Sequence, residues 1–176
     1  MYEAREDKDL AFMLQYENIA WYENGQVRIL DRRIYPAKTH FVVCNSHVEV
    51  MQAIRDMVTQ SAGPYTAAPM GMALAAWECR NMGIKQQTDY LEEASNCISN
   101  ARPTTRKRMA QLTRSCVEVA TKAIAEGSRA DLAIRDFTVR ANNMRYSKIA
   151  AAAKYLVDMF PKNGTVMTQC FAETIV

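Results

Sequence analysis

Apolar residues change their spacing along this chain, and the change divides it. Between Glu17 and Asp31 they come in two short runs, Ile19-Ala-Trp-Tyr and Val27-Arg-Ile-Leu, on either side of Asn24-Gly25. Asn-Gly best supplies the positive φ angles of a tight two-residue turn, so the pattern predicts a β-hairpin. A third run, His40 to Cys44, follows Pro36 and predicts a strand completing a small sheet. The first dozen residues are charged and patternless and are read as an arm, mobile or with a helical turn, with structure starting near Tyr16.

From Ser46 onward the spacing is helical. Ser46 with Glu49 forms a capping box, and Val48, Met51, Ile54 and Val58 make one apolar stripe, predicting a helix to about Gln60. Ser61-Ala-Gly-Pro interrupts it. The small-residue stretch Thr66 to Asn81 predicts a tightly packed helix ended by Gly83, with Pro69 in its early turns. Thr88 opens a helix through Leu91, Ala94 and Ile98 that stops before Pro103, because the residue preceding a proline disfavours the helical region. Another runs from about Thr104 to Glu126 and ends at Gly127. Ser128 and Asp131 start a last helix that reaches roughly Phe160, closed by Pro161 and Gly164. Thr165 to Gln169 is β-branched enough for a final strand.

The predicted architecture is therefore α+β: an arm (1–15), a β-hairpin with a helical body (16–160), and a closing segment (161–176) read as the first strand of an α/β domain. No internal repeat or low-complexity linker breaks the pattern.

Charge and cysteine content narrow the function classes. The chain has 176 residues with 22 basic and 19 acidic side chains, a net charge of +3, and the basic residues are spread out. This implies no nucleic-acid partner. The densest group, Arg102, Arg106, Lys107 and Arg108, fits a solvated helix face or an anion site. Five cysteines lack paired metal-ligand spacing and only two histidines are present, so no metal is expected. The odd cysteine count, the absence of a signal peptide and the lack of a spanning apolar run point to a cytoplasmic location and no membrane. Cys79, Cys97 and Cys116 fall on helical apolar positions and read as buried structural thiols.

Three element boundaries carry polar or glycine chemistry. In Gln60 to Tyr65, backbone amides of Ser61, Ala62 and Gly63 ahead of a helix can cradle an anion, although the same residues would serve an ordinary connection. In Asn100 to Arg106, Arg102 precedes a proline at a helix start, leaving free amides beside a guanidinium. In Gln169 to Glu173, Cys170 stands at the carboxyl end of the last strand, where the amides of a following helix lower a thiol's pKa and ligands of open α/β folds bind.

Taken in order, these segments resemble one superfamily: the methylthioribose-1-phosphate isomerases, with the ribose-1,5-bisphosphate isomerases, 5-deoxyribose-1-phosphate isomerase-like enzymes and the regulatory subunits of initiation factor 2B. The resemblance lies in Glu23-Asn-Gly-Gln-Val-Arg-Ile-Leu-Asp, in Ala53-Ile-Arg-Asp-Met-Val, in Met72-Ala-Leu-Ala-Ala, in Ala101-Arg-Pro-Thr-Thr, and in Gly164-Thr-Val-Met-Thr-Gln-Cys. It implies the amino-terminal half of an aldose–ketose isomerase acting on a sugar 1-phosphate, of the 5-methylthioribose or 5-deoxyribose type, in the methionine salvage chemistry of that group. Cys170 would then be catalytic. Ser61, Ala62, Gly63 and Arg102 would bind phosphate, Gln60, Tyr65 and Gln169 would contact substrate, and no cofactor would be required. The implied partners are the sugar phosphate, a complementary carboxyl-terminal half with a Rossmann-like fold, and further copies in a homodimer or higher oligomer.

Two departures separate this chain from the resemblance. Gln60-Ser-Ala-Gly-Pro stands where Arg-Gly-Ala-Pro is usual, removing a charge-assisted phosphate contact worth on the order of 1.5–3 kcal/mol. Phe171-Ala-Glu stands where Asn-Ala-Gly is usual, placing a carboxylate near the thiol. The alternative function is a non-catalytic regulatory or ligand-sensing subunit of the initiation factor 2B type, and the simplest reading is a helical assembly segment whose thiol is only buried. Without its second half the chain is expected to be inactive.

Overall fold

The computed structural model describes residues 5–167. A 3-10 turn (Phe12–Leu14) and one helical turn, α1 (Tyr16–Ile19), lead into an antiparallel sheet of β1 (Ala20–Glu23), β2 (Gln26–Leu30) and β3 (Phe41–Cys44), in that order. The turn residues Asn24 and Gly25 take φ of 49° and 79°, as the hairpin requires. Tyr22 faces Val27 and Arg28 faces Val43 across the ladders. Alternation then puts Ala20, Tyr22, Val27 and Ile29 in the core, while Arg28 lies over the Phe41 ring.

Five helices follow: α2 (His47–Arg55), α3 (Pro64–Glu78), α4 (Ile84–Ser99), α5 (Arg106–Ala125) and α6 (Ala130–Asp158). Helix α3 is their axle. Its alanines, methionines and glycine leave it no polar side, so it must sit inside, and it is buried at twelve positions from Pro64 to Ala76. The sheet, α2, α4, α5 and α6 all pack against it. Tyr22 clamps the sheet to α6 by donating its hydroxyl to Asp131 Oδ2 (2.7 Å), a carboxylate that also accepts from Arg129 Nε (2.9 Å). On the arm, Arg5 pairs with Asp7 and Glu17, and Tyr16 donates its hydroxyl to Asn143 on α6 (2.7 Å).

The α+β expectation is met, with local corrections. Helix α2 stops at Arg55, not near Gln60, because Met57 takes the left-handed conformation (φ 62°) usually left to glycine. Val58 N then donates to Ala53 O and Met57 N to Ile54 O, the paired bonds of a Schellman stop. The expected stripe is also shifted: Val48 is 48% exposed, and Val50, Ala53 and Ile54 form the buried face. The Ser46 cap holds, with Glu49 N donating to its Oγ, while the Glu49 carboxylate accepts from Asn45 N, one residue earlier than a standard box.

Gly83 begins α4 instead of ending α3, its amide donating to Gln86 Oε1. Thr88 therefore lies inside α4 and donates to the Ile84 carbonyl. Gly127 ends α5 as expected, with Ser128 N bonded to Ala123 O and Gly127 N to Ile124 O. The cap residue of α6 is Arg129, although Ser128 was expected to start it. Thr165 to Met167 carry no strand, and the rest of the expected final strand lies outside the described residues.

Candidate functional site

The Schellman stop of α2 is what creates the first candidate segment. Val58 is buried behind it and accepts from Arg32 N beyond β2 (2.8 Å), so the loop from Thr59 to Gly63 is anchored to the sheet at its start and to α3 at its end. Pro64 occupies the first turn of α3, where its missing N–H costs nothing. Ser61 is exposed with φ 53°, at the tip of the loop. Gly63 is buried so closely against Thr59 that a Cβ there would meet Thr59 Oγ1 at 2.0 Å.

The loop spends part of its hydrogen-bonding capacity on itself. Gly63 N donates to Gln60 O (2.8 Å), and the Gln60 side-chain amide donates to Met57 O (3.4 Å). Of the three amides expected to cradle an anion, that of Gly63 is thus committed to the loop's own turn. Gln60, which stands where the resemblance has an arginine, ties the loop to the end of α2.

Arg102 reaches the same loop from 43 residues away. It is extended (φ −142°, ψ 128°), as a residue before proline should be, and precedes a 3-10 turn, Pro103–Thr105, that opens into α5. Its Nη1 donates to Thr59 O at 3.3 Å. The first and second candidate segments therefore meet: a half-buried guanidinium stands beside the carbonyl that begins the Ser61 loop. A fixed arginine next to an exposed loop and a helix start is suited to receive an anion.

Tyr65, in the first turn of α3, lies beyond the loop, with the Arg108 guanidinium 4.6 Å above its ring. Ala62, Tyr65 and Arg108 share a groove of about 530 Å³ with Arg145 and Lys148 of α6. Arg108 belongs to the basic cluster of the sequence, and its stacking on Tyr65 distinguishes it from a merely solvated charge. Residue spacing gave no signal for this, because the ring and the cation lie on different helices. Thr59 and the groove-lining residues of α6 were missed for the same reason.

Gln169 and Cys170 lie outside the described residues. The other four thiols contrast with what a reactive cysteine needs. Burial pushes Cys44 and Cys79 up to about 11 and raises Cys116 and Cys97 as well, so these remain protonated near neutral pH. Among the described residues no helix is long and apolar enough to cross a membrane.

No family model matches this chain. It is 29% identical over 163 residues to the methylthioribose-1-phosphate isomerase of Roseiflexus castenholzii, a match covering 86% of this chain and 44% of that relative. It is 31% identical over 159 residues to the enzyme of the same name from a second Roseiflexus strain, with the same coverages. The chain thus spans less than half the length of these relatives. Two solved structures share its fold: 5-methylthioribose 1-phosphate isomerase from Pyrococcus horikoshii (TM-score 0.57, 22% identity, 82% of this chain and 41% of that one), and the delta subunit of translation initiation factor 2B from A. fulgidus (0.55, 19%, 76% and 37%). Sequence and fold both point to the methylthioribose-1-phosphate isomerase and initiation factor 2B-like superfamily, to whose amino-terminal portion the chain is similar.

Proposed function

We propose that this chain is the amino-terminal part of an aldose–ketose isomerase acting on a sugar 1-phosphate, of the 5-methylthioribose or 5-deoxyribose type. The observation that carries the reading is the hydrogen bond from Arg102 to Thr59 O, which joins two segments far apart in sequence that both resemble phosphate-binding segments of the superfamily. In this reading Arg102 and the Ser61–Gly63 loop hold the phosphate, with Gln60 and Tyr65 beside it. Cys170 and Gln169 act at the carbon skeleton.

The chemistry asks little beyond placement. The sugar ring opens, one hydrogen passes from C2 to C1, and the C2 hydroxyl becomes the carbonyl. Oxidation at C2 and reduction at C1 cancel, so no cofactor is consumed. Cys170 either carries the proton between the two carbons or keeps the pocket dry for a direct shift. A carboxyl-terminal α/β half, beginning at the segment 161–176, supplies the acid that assists ring opening, and the completed protein works in the cytoplasm as a dimer or higher oligomer.

The test is to mix the chain with the carboxyl-terminal half of a methylthioribose-1-phosphate isomerase and follow aldose-to-ketose conversion. Turnover should need both pieces, vanish with Cys170→Ala, and show a raised KM with Arg102→Gln. Equal turnover by the Cys170→Ala protein would sink the catalytic role of the thiol. The second reading, a ligand-sensing subunit of the initiation factor 2B type, draws on Gln60, a neutral side chain bonded back to Met57 O in a position where the resemblance calls for an arginine. Sugar-phosphate binding without turnover in the completed protein would favour it.

A further inference from the structure

Helix α6 presents two polar atoms that nothing in the described structure satisfies. Asn142 is 4% exposed; its Oδ1 accepts from Thr66 Oγ1 of α3, and among the described residues its Nδ2 has no hydrogen-bond partner. One turn later, on half-buried Arg145, the buried Nε is also without a hydrogen-bond partner among the described residues. An unmet buried donor is costly enough that native proteins rarely leave one without a protein, water or ligand acceptor.

Both residues line one recess of about 60 Å³ between α3, α5 and α6, together with Tyr65, Arg108, Phe137 and Thr138. A water needs roughly 10–15 Å³ of such space, so the recess accommodates a group several times larger, the size of a tetrahedral oxyanion. The recess shares Tyr65, Arg108, Ala141 and Arg145 with the groove that runs to Ala62 and Lys148. Among the described residues three cations, Arg108, Arg145 and Lys148, line the pair of cavities and no carboxylate does. Arg108 is stacked over Tyr65, and Arg145 lies 5.0 Å from the Tyr146 ring centre, so both guanidiniums are braced by aromatic faces.

Unmet donors, fixed cations and an absence of lining acids describe a site for an anion that accepts hydrogen bonds from several directions. We propose that the recess binds a phosphate group, held by Asn142 Nδ2, Arg145 and Arg108, with the rest of a phosphorylated small molecule lying along the groove toward Ala62. Arg102 does not line it, and the inference does not rest on the isomerase reading: the residues that hold the anion lie on α5 and α6, and it holds equally for an enzyme or a sensor.

Inorganic phosphate and ribose 5-phosphate titrated into the full chain at constant ionic strength provide the test, followed by the side-chain amide resonances of Asn142 and by melting temperature. Saturable shifts of those resonances, with a rising melting temperature, are expected. Tighter binding of the sugar phosphate than of free phosphate identifies a phosphorylated metabolite as the ligand, and equal binding identifies the free ion. Arg108→Gln, a change on an exposed side chain that leaves the fold intact, should weaken binding about tenfold or more, as loss of one charge-assisted contact does. Asn142→Asp, which sets a carboxylate against the anion, should abolish it. No saturable shift, or undiminished binding by both variants, overturns the proposal. Loss of binding with Arg102→Gln but not with Arg108→Gln also overturns it, by moving the anion to the Ser61 loop and leaving the isomerase reading intact.

Discussion

Helix α6 has two halves of similar composition and opposite fate. From Ala130 to Tyr146 it buries Ile134, Thr138, Asn142 and Tyr146 against α3 and α5, and it takes hydrogen bonds from the sheet and the arm. From Ser147 to Asp158 no residue is buried, and Tyr155 (76% exposed) and Val157 (60%) face outward. The backbone is continuous, so helicity alone does not decide burial. What differs is the neighbour: α3 begins at Pro64, and the described structure provides nothing comparable beside the second half. Local pattern specifies a helix, and tertiary contact specifies which part of it carries stability.

The comparison breaks most visibly at Ile134. Its side chain is fully buried, so Ile134→Ala removes packing that the rigid α3 surface cannot refill and should cost about 2–4 kcal/mol. Urea denaturation reads this as a lower midpoint with an unchanged slope. A loss below about 0.5 kcal/mol, the range of ordinary surface changes, would mean that the first half of α6 is not docked.

Asp131 sharpens the same point through charge. Burial alone would push its carboxyl up, but hydrogen bonds from Arg129 and Tyr22 more than offset that and hold it below the ordinary range. Removing it in Asp131→Ala strands the Tyr22 hydroxyl in the core. The cost should be about 2 kcal/mol, under the 3–5 of a fully buried pair because Arg129 remains half in solvent. Acid should dismantle the same clamp. A carboxyl whose folded pKa is depressed adds stability that is fully present above its unfolded value near 3.9 and is lost as pH falls through the folded one. Asp7 behaves alike, since bonds from Arg5 and the Tyr16 amide outweigh its burial. Melting temperature should therefore hold steady from about pH 7 to 5 and fall below about 4, with a shallower fall in Asp131→Asn. A wild-type curve that is flat to pH 2.5, about 1.4 units below the unfolded carboxylate value, would remove the clamp from the account.

These clamps were not legible in the sequence, and the reason is specific. Asn24-Gly25, Ser46, Gly127 and the small-residue stretch of α3 each declare their structure within a few residues, so the sheet, one cap, one helix stop and the central helix could be read directly. Met57 could not: a methionine in the left-handed region leaves no local sign, and it alone moved the end of α2 and gave the Ser61 loop its shape. Arg102 and the loop were legible as separate segments, but their hydrogen bond spans 43 residues. Asn142 and Arg145 looked like ordinary polar positions in a long helix, and only the packing of α6 on α3 and α5 made them unmet donors. Long-range juxtaposition is what residue spacing omits.

The smallest effect belongs to the outer half of α6. Tyr155→Ser and Val157→Ser change side chains that already face solvent in this chain, so each should alter stability by no more than about 0.5 kcal/mol, beyond a small cost in helix propensity. A larger loss in the isolated chain would show that the second half is covered by another copy, and the loss would then grow with protein concentration. The informative contrast is with the chain mixed with the carboxyl-terminal half proposed for it. If a carboxyl-terminal half packs on this face, the same substitutions that leave the lone chain untouched should weaken association of the two pieces, because each removes apolar area that the interface would bury at about 25 cal/mol per Å². The two halves of α6 would then differ only in where their partner comes from: the first is covered by α3 within this chain, the second by a polypeptide added to it.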